Sequence, residues 1–146
     1  MNIKFYKTVL KIIKQFINIF YPFEVRGIEN LENPGKNYII CCNHLSNVDP
    51  AFLMLTHSKP IRFMAKSELF RNKLLAWFCS NMGAFAVKRG KGDKSALENS
   101  EKIVKSGETL GIFIEGTRCK TGEFLRPKSG ATLFPSLLFF HQLSTF

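Results

Sequence analysis

Two hydrophobic periods divide this chain. From Ile3 to Phe20, Lys4, Lys7, Lys11 and Lys14 recur every three or four residues, and Thr8, Gln15 and Asn18 join them. On a wheel turning ~100° per residue these positions form a polar arc of roughly 120°. Apolar side chains, among them Phe5, Ile12, Phe16 and Phe20, take the rest of the circumference. The spacing predicts an amphipathic helix over residues 1–22 with an apolar face wider than a packed surface helix usually shows. Four spaced lysines argue against a span, which needs about 20 mostly uncharged residues. No small-residue cleavage site follows, which argues against a secretory signal. The expected place for this helix is a membrane interface, with its lysines near lipid phosphates. Packing on its own domain is the alternative.

Beyond Pro22 the apolar runs shorten to strand length and alternate with helical stretches. Phe23 to Gly27 alternates like a strand, and Asn33-Pro34-Gly35 marks a turn. Tyr38-Ile39-Ile40-Cys41-Cys42 is a short β-branched run of the kind found in buried strands. Pro50 to His57 reads as a helix, with Asp49 suited to cap it and Pro50 to its first position. Ile61 to Ala65 is a strand, and Ser67 with Glu68 opens a helix running to about Met82. Gly83 breaks that helix, and Ala84 to Lys88 forms a strand. Asp93 caps a further helix that Gly107 ends, and Leu110 to Ile114 is the last buried strand. Strands alternating with helices predict an α/β domain: a largely parallel central sheet flanked by helices, with right-handed crossovers. No internal repeat or low-complexity linker interrupts it.

With 146 residues and 45% hydrophobic content, the chain supports one domain with a real core. Its formal charge of +10 is zoned. Residues 1–21 carry +4, residues 59–91 carry +7 and residues 117–130 carry +3, separated by two stretches of −2 each. Basic zones parted by acidic ones imply an anionic partner met at defined places. Charge alone leaves open nucleic acid, anionic lipid or a phosphorylated substrate. No helix-turn-helix, zinc-finger or RNP pattern supports the first. Cys41, Cys42, Cys79 and Cys119 lack metal-ligand spacing. Adjacent Cys41 and Cys42 should face opposite sides of a strand, so all four read as free thiols in a reducing compartment.

Chemistry concentrates where strands end. Asn43-His44-Leu45-Ser46-Asn47-Val48-Asp49 is a polar loop between a buried strand and a helix start, the usual place for a site in an α/β protein. A His five residues before an Asp can fold back so that the carboxylate meets one imidazole nitrogen. That fixes the tautomer and leaves the other nitrogen as a base. On this heptapeptide alone, Asp49 as a mere helix cap and His44 as a loop residue explain the pattern as well. Three more polar stations follow. Lys66 precedes a helix start, where backbone N–H groups also attract anions. Lys88 and Arg89 close a strand between glycines. Glu115-Gly116-Thr117-Arg118 follows the last buried strand, with Arg118 offering a fork for phosphate.

Taken in order, these stations resemble the PlsC-like glycerolipid acyltransferases, which include the 1-acyl-sn-glycerol-3-phosphate acyltransferases. The likeness runs from about Phe23 to Ala131. It includes the His-x4-Asp block at His44 and Asp49, Gly83-Ala84-Phe85-Ala86-Val87-Lys88-Arg89-Gly90, and Ile114-Glu115-Gly116-Thr117-Arg118. Ala65-Lys66-Ser67-Glu68-Leu69-Phe70 and Arg26-Gly27-Ile28-Glu29-Asn30-Leu31 match further family segments. The chain departs from the pattern at Ile114 and Ala86, where proline is frequent, and at Cys119, where serine is common. The fourth block, an apolar strand carrying proline, is missing. Residues 23–132 thus read as an incomplete acyltransferase domain and residues 133–146 as an atypical tail. The expectation is a chain that ends early.

The resemblance implies acyl transfer from acyl-CoA or acyl-ACP to the hydroxyl of lysophosphatidic acid, giving phosphatidic acid for phospholipid synthesis. His44 would be the general base and Asp49 its orienting carboxylate. Lys66, Arg89 and Arg118 would bind the acceptor phosphate and Glu115 would position the glycerol backbone, with Gly116 and Thr117 as further substrate-binding residues. No metal or cofactor is implied. The expected partners are the lysophospholipid, the acyl donor and an anionic membrane surface at its cytoplasmic face, with no nucleic acid. An inactive, membrane-associated fragment of the same family is the rival, and a basic nucleic-acid-binding module the more distant one.

Overall fold

The computed structural model describes residues 1–20, 23–26, 39–88, 94–119, 121, 123 and 125–127, and the backbone of 138–140. The N-terminal period forms helix α1, Ile3–Phe20. The apolar runs become five strands: β1 Ile39–Cys42, β2 Ile61–Lys66, β3 Ala84–Val87, β4 Thr109–Phe113 and β5 Leu138–Phe140. Three further α-helices, α2 Asp49–Thr56, α3 Lys73–Asn81 and α4 Lys94–Lys105, lie between them in the chain. Every pairing is parallel, and the sheet order is β3-β2-β4-β1-β5. A strand covered on both faces needs an unbroken apolar run rather than alternation. That is the composition of β1, whose four residues are all buried.

Pleating sends alternate side chains to two separate cores. Ile40, Cys42, Ile61 and Phe63 pack with Tyr6 of α1 and with Leu53 and Met54 of α2. Ile39, Cys41, Leu110 and Ile112 pack with Ile103 and Val104 of α4. Cys41 and Cys42 therefore do face opposite sides, and all four cysteines are free. Burial pushes the Cys41 thiol up to about 11 and Cys42 higher still, so both serve as small apolar residues.

Several readings of the sequence change. Phe23 to Arg26 is irregular rather than a strand. The helix expected from Ser67 to Met82 is two pieces, a 3-10 helix Ser67–Arg71 and then α3. Asn72 divides them, because its side-chain oxygen accepts from the N–H groups of Leu74 and Leu75 and starts a new helix. Val48, not Asp49, occupies the cap position of α2, and no side chain caps it. The tail, in which no period was legible, contains β5, paired with β1 from Ile39↔Leu138 to Cys41↔Phe140. Helix α1 packs on its own domain through Tyr6 and Ile17, which are buried, while Ile12, Phe16, Ile19 and Phe20 of its apolar face are exposed. The turn at Asn33-Pro34-Gly35, Asp93, Arg89 and the stretch from Lys128 to Ala131 lie outside the described residues.

Candidate active site

All strands of a parallel sheet end on one edge, so the polar stations meet there. In sheet order, Lys88 follows β3, Lys66 closes β2, Glu115 to Arg118 follow β4, and His44 follows β1. Strand order makes the last two neighbours, since Cys42 and Phe113 are register partners. The pairing continues past both strands: Ile114 N–H donates to the Cys42 carbonyl at 3.1 Å, and Cys119 N–H to the His44 carbonyl at 2.7 Å. Gly116 turns the loop between these bonds with φ 65°, a backbone state that favours glycine.

Asp49 opens α2 but its carboxylate points back into the loop. Its Oδ2 accepts from His44 Nδ1 at 2.8 Å, from Leu45 N–H at 2.7 Å and from Ser46 N–H at 2.8 Å. The carboxylate acceptor places the proton on Nδ1 and leaves Nε2 as the imidazole's basic atom. Burial pushes the Asp49 carboxyl upward, but the hydrogen bonds from His44, Ser46 and Leu45 together outweigh it and hold the group below its ordinary value. Its contribution to stability is therefore present above the unfolded carboxyl value of about 3.9 and is lost as pH falls through the lower folded one. We expect the stability difference between wild type and Asp49→Asn to shrink below about pH 4, measured by denaturant unfolding across the acid range. A difference that persists unchanged in acid would deny the carboxylate that role.

The imidazole is also held through its face. Phe113 stacks on His44 with centroids 4.1 Å apart and 20° between planes, and Phe63 stacks on Phe113 at 5.7 Å and 16°. Phe63 lies across from Gly111 in the β2–β4 register. A Cβ on Gly111 would fall 2.4 Å from the Phe63 ring, so only glycine admits the stack. Asp49 thus fixes the ring edge and Phe113 its plane. Phe113 was not among the residues singled out from sequence. It reads there as one more apolar strand residue, and nothing in a one-dimensional pattern places it against His44.

Glu115 is only 3% exposed, and its Oε2 has no hydrogen-bond partner among the described residues. A buried carboxylate oxygen left unpaired is costly, so this atom is suited to accept a proton donor brought by a ligand. Thr117, Arg118 and Lys66 are exposed along the same edge. Among the described residues no hydrogen bond or ion pair ties them to His44 or Asp49. Lys66 ends a strand two positions from β1, roughly 10 Å away at the usual strand spacing. A shallow hollow lined by Ser67, Val87, Lys88 and Ser95 opens farther along, beside β3. Among the described residues no three His, Cys, Asp or Glu side chains cluster as metal ligands.

A histidine held through Nδ1 by a buried carboxylate, at the carboxyl edge of a parallel α/β sheet, is an arrangement chemically suited to proton abstraction. The family model described as Acyltransferase matches residues 22–134, and the chain belongs to that family. It is 34% identical over 129 residues to the 1-acyl-sn-glycerol-3-phosphate acyltransferase of Bacillus subtilis (strain 168), covering 86% of this chain and 62% of that protein. It is 30% identical over 114 residues to the chloroplastic 1-acyl-sn-glycerol-3-phosphate acyltransferase LPAT1 of Arabidopsis thaliana, covering 77% of this chain and 32% of that one. The crystal structure of the 1-acyl-sn-glycerophosphate (LPA) acyltransferase PlsC from Thermotoga maritima superposes with a TM-score of 0.66 at 28% identity. That match covers 88% of this chain and 53% of the other. The chain thus spans less than two thirds of the length of each of these three proteins.

Proposed function

We propose that this chain carries the reaction centre of an O-acyltransferase that acylates lysophosphatidic acid from an acyl thioester, giving phosphatidic acid. The observation that carries the reading is the 2.8 Å contact between His44 Nδ1 and Asp49, which presents Nε2 as a base. Nε2 takes the proton of the acceptor hydroxyl as its oxygen attacks the thioester carbonyl. The tetrahedral intermediate then collapses, the carbon–sulfur bond breaks, and the imidazolium returns the proton to the leaving thiolate. Asp49 stabilises that imidazolium. The acceptor supplies the nucleophile, so no cysteine or serine of the chain need be acylated. The unpaired Glu115 Oε2 is suited to accept a hydrogen bond from the glycerol part of the acceptor. Arg118, Lys66 and Arg89 are the cations for its phosphate, and coenzyme A or acyl carrier protein delivers the acyl group. Helix α1, with its lysine stripe and its exposed Ile12, Phe16 and Ile19, holds the site at the cytoplasmic face of a membrane.

Thiol release from an acyl thioester, measured with and without lysophosphatidic acid, tests the reading. Acceptor-dependent release with phosphatidic acid as product is the expected result. Equal release without acceptor would make the protein a thioesterase, and none from a folded chain an inactive member of the family. Arg118→Lys keeps the charge but loses the planar fork. It is expected to raise the acceptor KM about tenfold, the cost of one lost charge-assisted hydrogen bond, and to leave the donor KM nearly unchanged. An unchanged acceptor KM would give Arg118 a structural role instead.

A further inference from the structure

Helix α3 has the composition of a core helix and the position of a surface one. It contains Leu74, Leu75, Ala76, Trp77 and Phe78 in succession, yet none of its residues is buried. Leu74 is 73% exposed and Trp77 55%, with Leu75 and Phe78 also exposed. In the preceding 3-10 helix Leu69 is exposed as well. Single exposed apolar side chains are ordinary, but a run of this size marks an interaction surface.

The patch is continuous with α1. At ~100° per residue, Phe5, Ile12, Phe16 and Ile19 fall within about 60° of each other, one ridge along the helix. Its N-terminal member, Phe5, meets Trp77 edge-on at 4.9 Å and Phe78 at 6.0 Å. The other members stay exposed, Ile19 at 72%. The ridge of α1 and the outer side of α3 are therefore one apolar surface on two helices. Its surroundings are cationic: the stripe Lys4, Lys7, Lys11 and Lys14 on α1, and exposed Arg71 and Lys73 where α3 begins. Residues 59–91 as a whole carry eight cations against Glu68.

We infer that α3, through Leu74, Leu75, Trp77 and Phe78, is a second membrane-seating element that enters an anionic lipid interface together with α1. The inference rests on the reading of α1 as an interfacial helix and extends it to a helix inside the catalytic domain. Charge selects the occupant. A second copy of a chain of +10 would set two basic surfaces against each other, whereas lipid phosphates neutralise them. Geometry agrees, since no described helix is long and apolar enough to cross a membrane. Two helices lying flat instead reach only the upper part of the acyl region, the depth that suits a tryptophan ring. Because only the 3-10 helix Ser67–Arg71 and Asn72 separate α3 from Lys66 at the end of β2, seating it would also fix the active edge relative to the lipid surface.

Trp77 is the chain's one tryptophan, so its emission reports this face alone. The intact chain is titrated with phosphatidylcholine–phosphatidylglycerol vesicles brominated either just below the headgroups or near the acyl methyl ends. The expected result is a blue shift, strong quenching by shallow bromine and weaker quenching by deep bromine. Joint replacement Leu74→Gln and Leu75→Gln should keep the circular-dichroism spectrum and weaken vesicle partition about tenfold or more, since burying one leucine is worth roughly that factor. Unchanged Trp77 emission on vesicles that sediment the protein would leave α1 as the only contact and overturn the inference. A blue shift that follows protein concentration without lipid would assign the face to a second copy, overturning it too. Vesicles that neither sediment the protein nor move its emission would remove both helices from the membrane. Loss of acyl transfer alone moves none of these signals, so the catalytic reading fails separately.

Discussion

Replacing His44 by alanine is expected to lower the proposed acyl transfer by about 10⁴-fold or more, with the circular-dichroism spectrum and any vesicle binding of the parent chain unchanged. The substitution gives up the stack on Phe113 and the bond to Asp49 but leaves the backbone of the loop to the N–H bonds of Leu45 and Ser46. It removes the Nε2 proposed to accept the hydroxyl proton. Asp49→Asn is the informative companion. Two backbone N–H groups, from Leu45 and Ser46, converge on the same oxygen that meets His44. They will hold the carbamoyl oxygen of asparagine in that place, so loop and imidazole stay put and only the charge is lost. The expected cost is about 10²–10⁴ in kcat, with little change in either KM. Retention by His44→Ala of more than about a tenth of the wild-type kcat would remove the general-base assignment, because base catalysis alone is worth more than that.

Gly111→Ala is expected to damage stability and turnover together, although Gly111 touches no substrate. Its new methyl would stand 2.4, 2.8 and 2.9 Å from three atoms of the Phe63 ring. Phe63 is buried among Ile61, Leu53 and Met82 and has nowhere to swing. Overpacking of this kind costs about 1–3 kcal/mol, a fall of several degrees in Tm. The displaced ring pushes on Phe113, which carries the plane of His44, so kcat falls while the donor and acceptor KM values hold. Adding Phe63→Leu should relieve the clash, making the double variant more stable than the sum of the two single losses. It should not restore kcat, because the aromatic stack is then incomplete. Recovery of both together would mean that the stack does not orient the imidazole.

How much of this was legible beforehand depends on the distance over which each feature is encoded. The His44–Asp49 contact closes within one loop, so spacing and residue type were enough to anticipate it. Strands β1 to β4 and the termini at Gly83 and Gly107 were likewise readable, because short apolar runs and positive-φ glycines are local signals. The Asn72 break was written locally but masked by the apolar run on either side. It showed only where the side chain accepts from Leu74 and Leu75. Strand β5 was illegible, since three residues are too few to show a period.

Sequence by itself determined the α/β class, the amphipathic α1 and the loop in which His44 can fold back on Asp49. Tertiary structure decided the rest. The sheet order set β4 against β1, and only that adjacency puts Phe113 against His44 and ties the loop after β4 to the His44 carbonyl through Cys119. Packing decided which part of each apolar helix is covered. The Tyr6–Ile17 side of α1 is buried, whereas the ridge from Ile12 to Ile19 and nearly the whole apolar side of α3 face outward. A hydrophobic period states that a face must leave water. Which surface receives it depends on residues far away in the chain, and no local pattern carries that information.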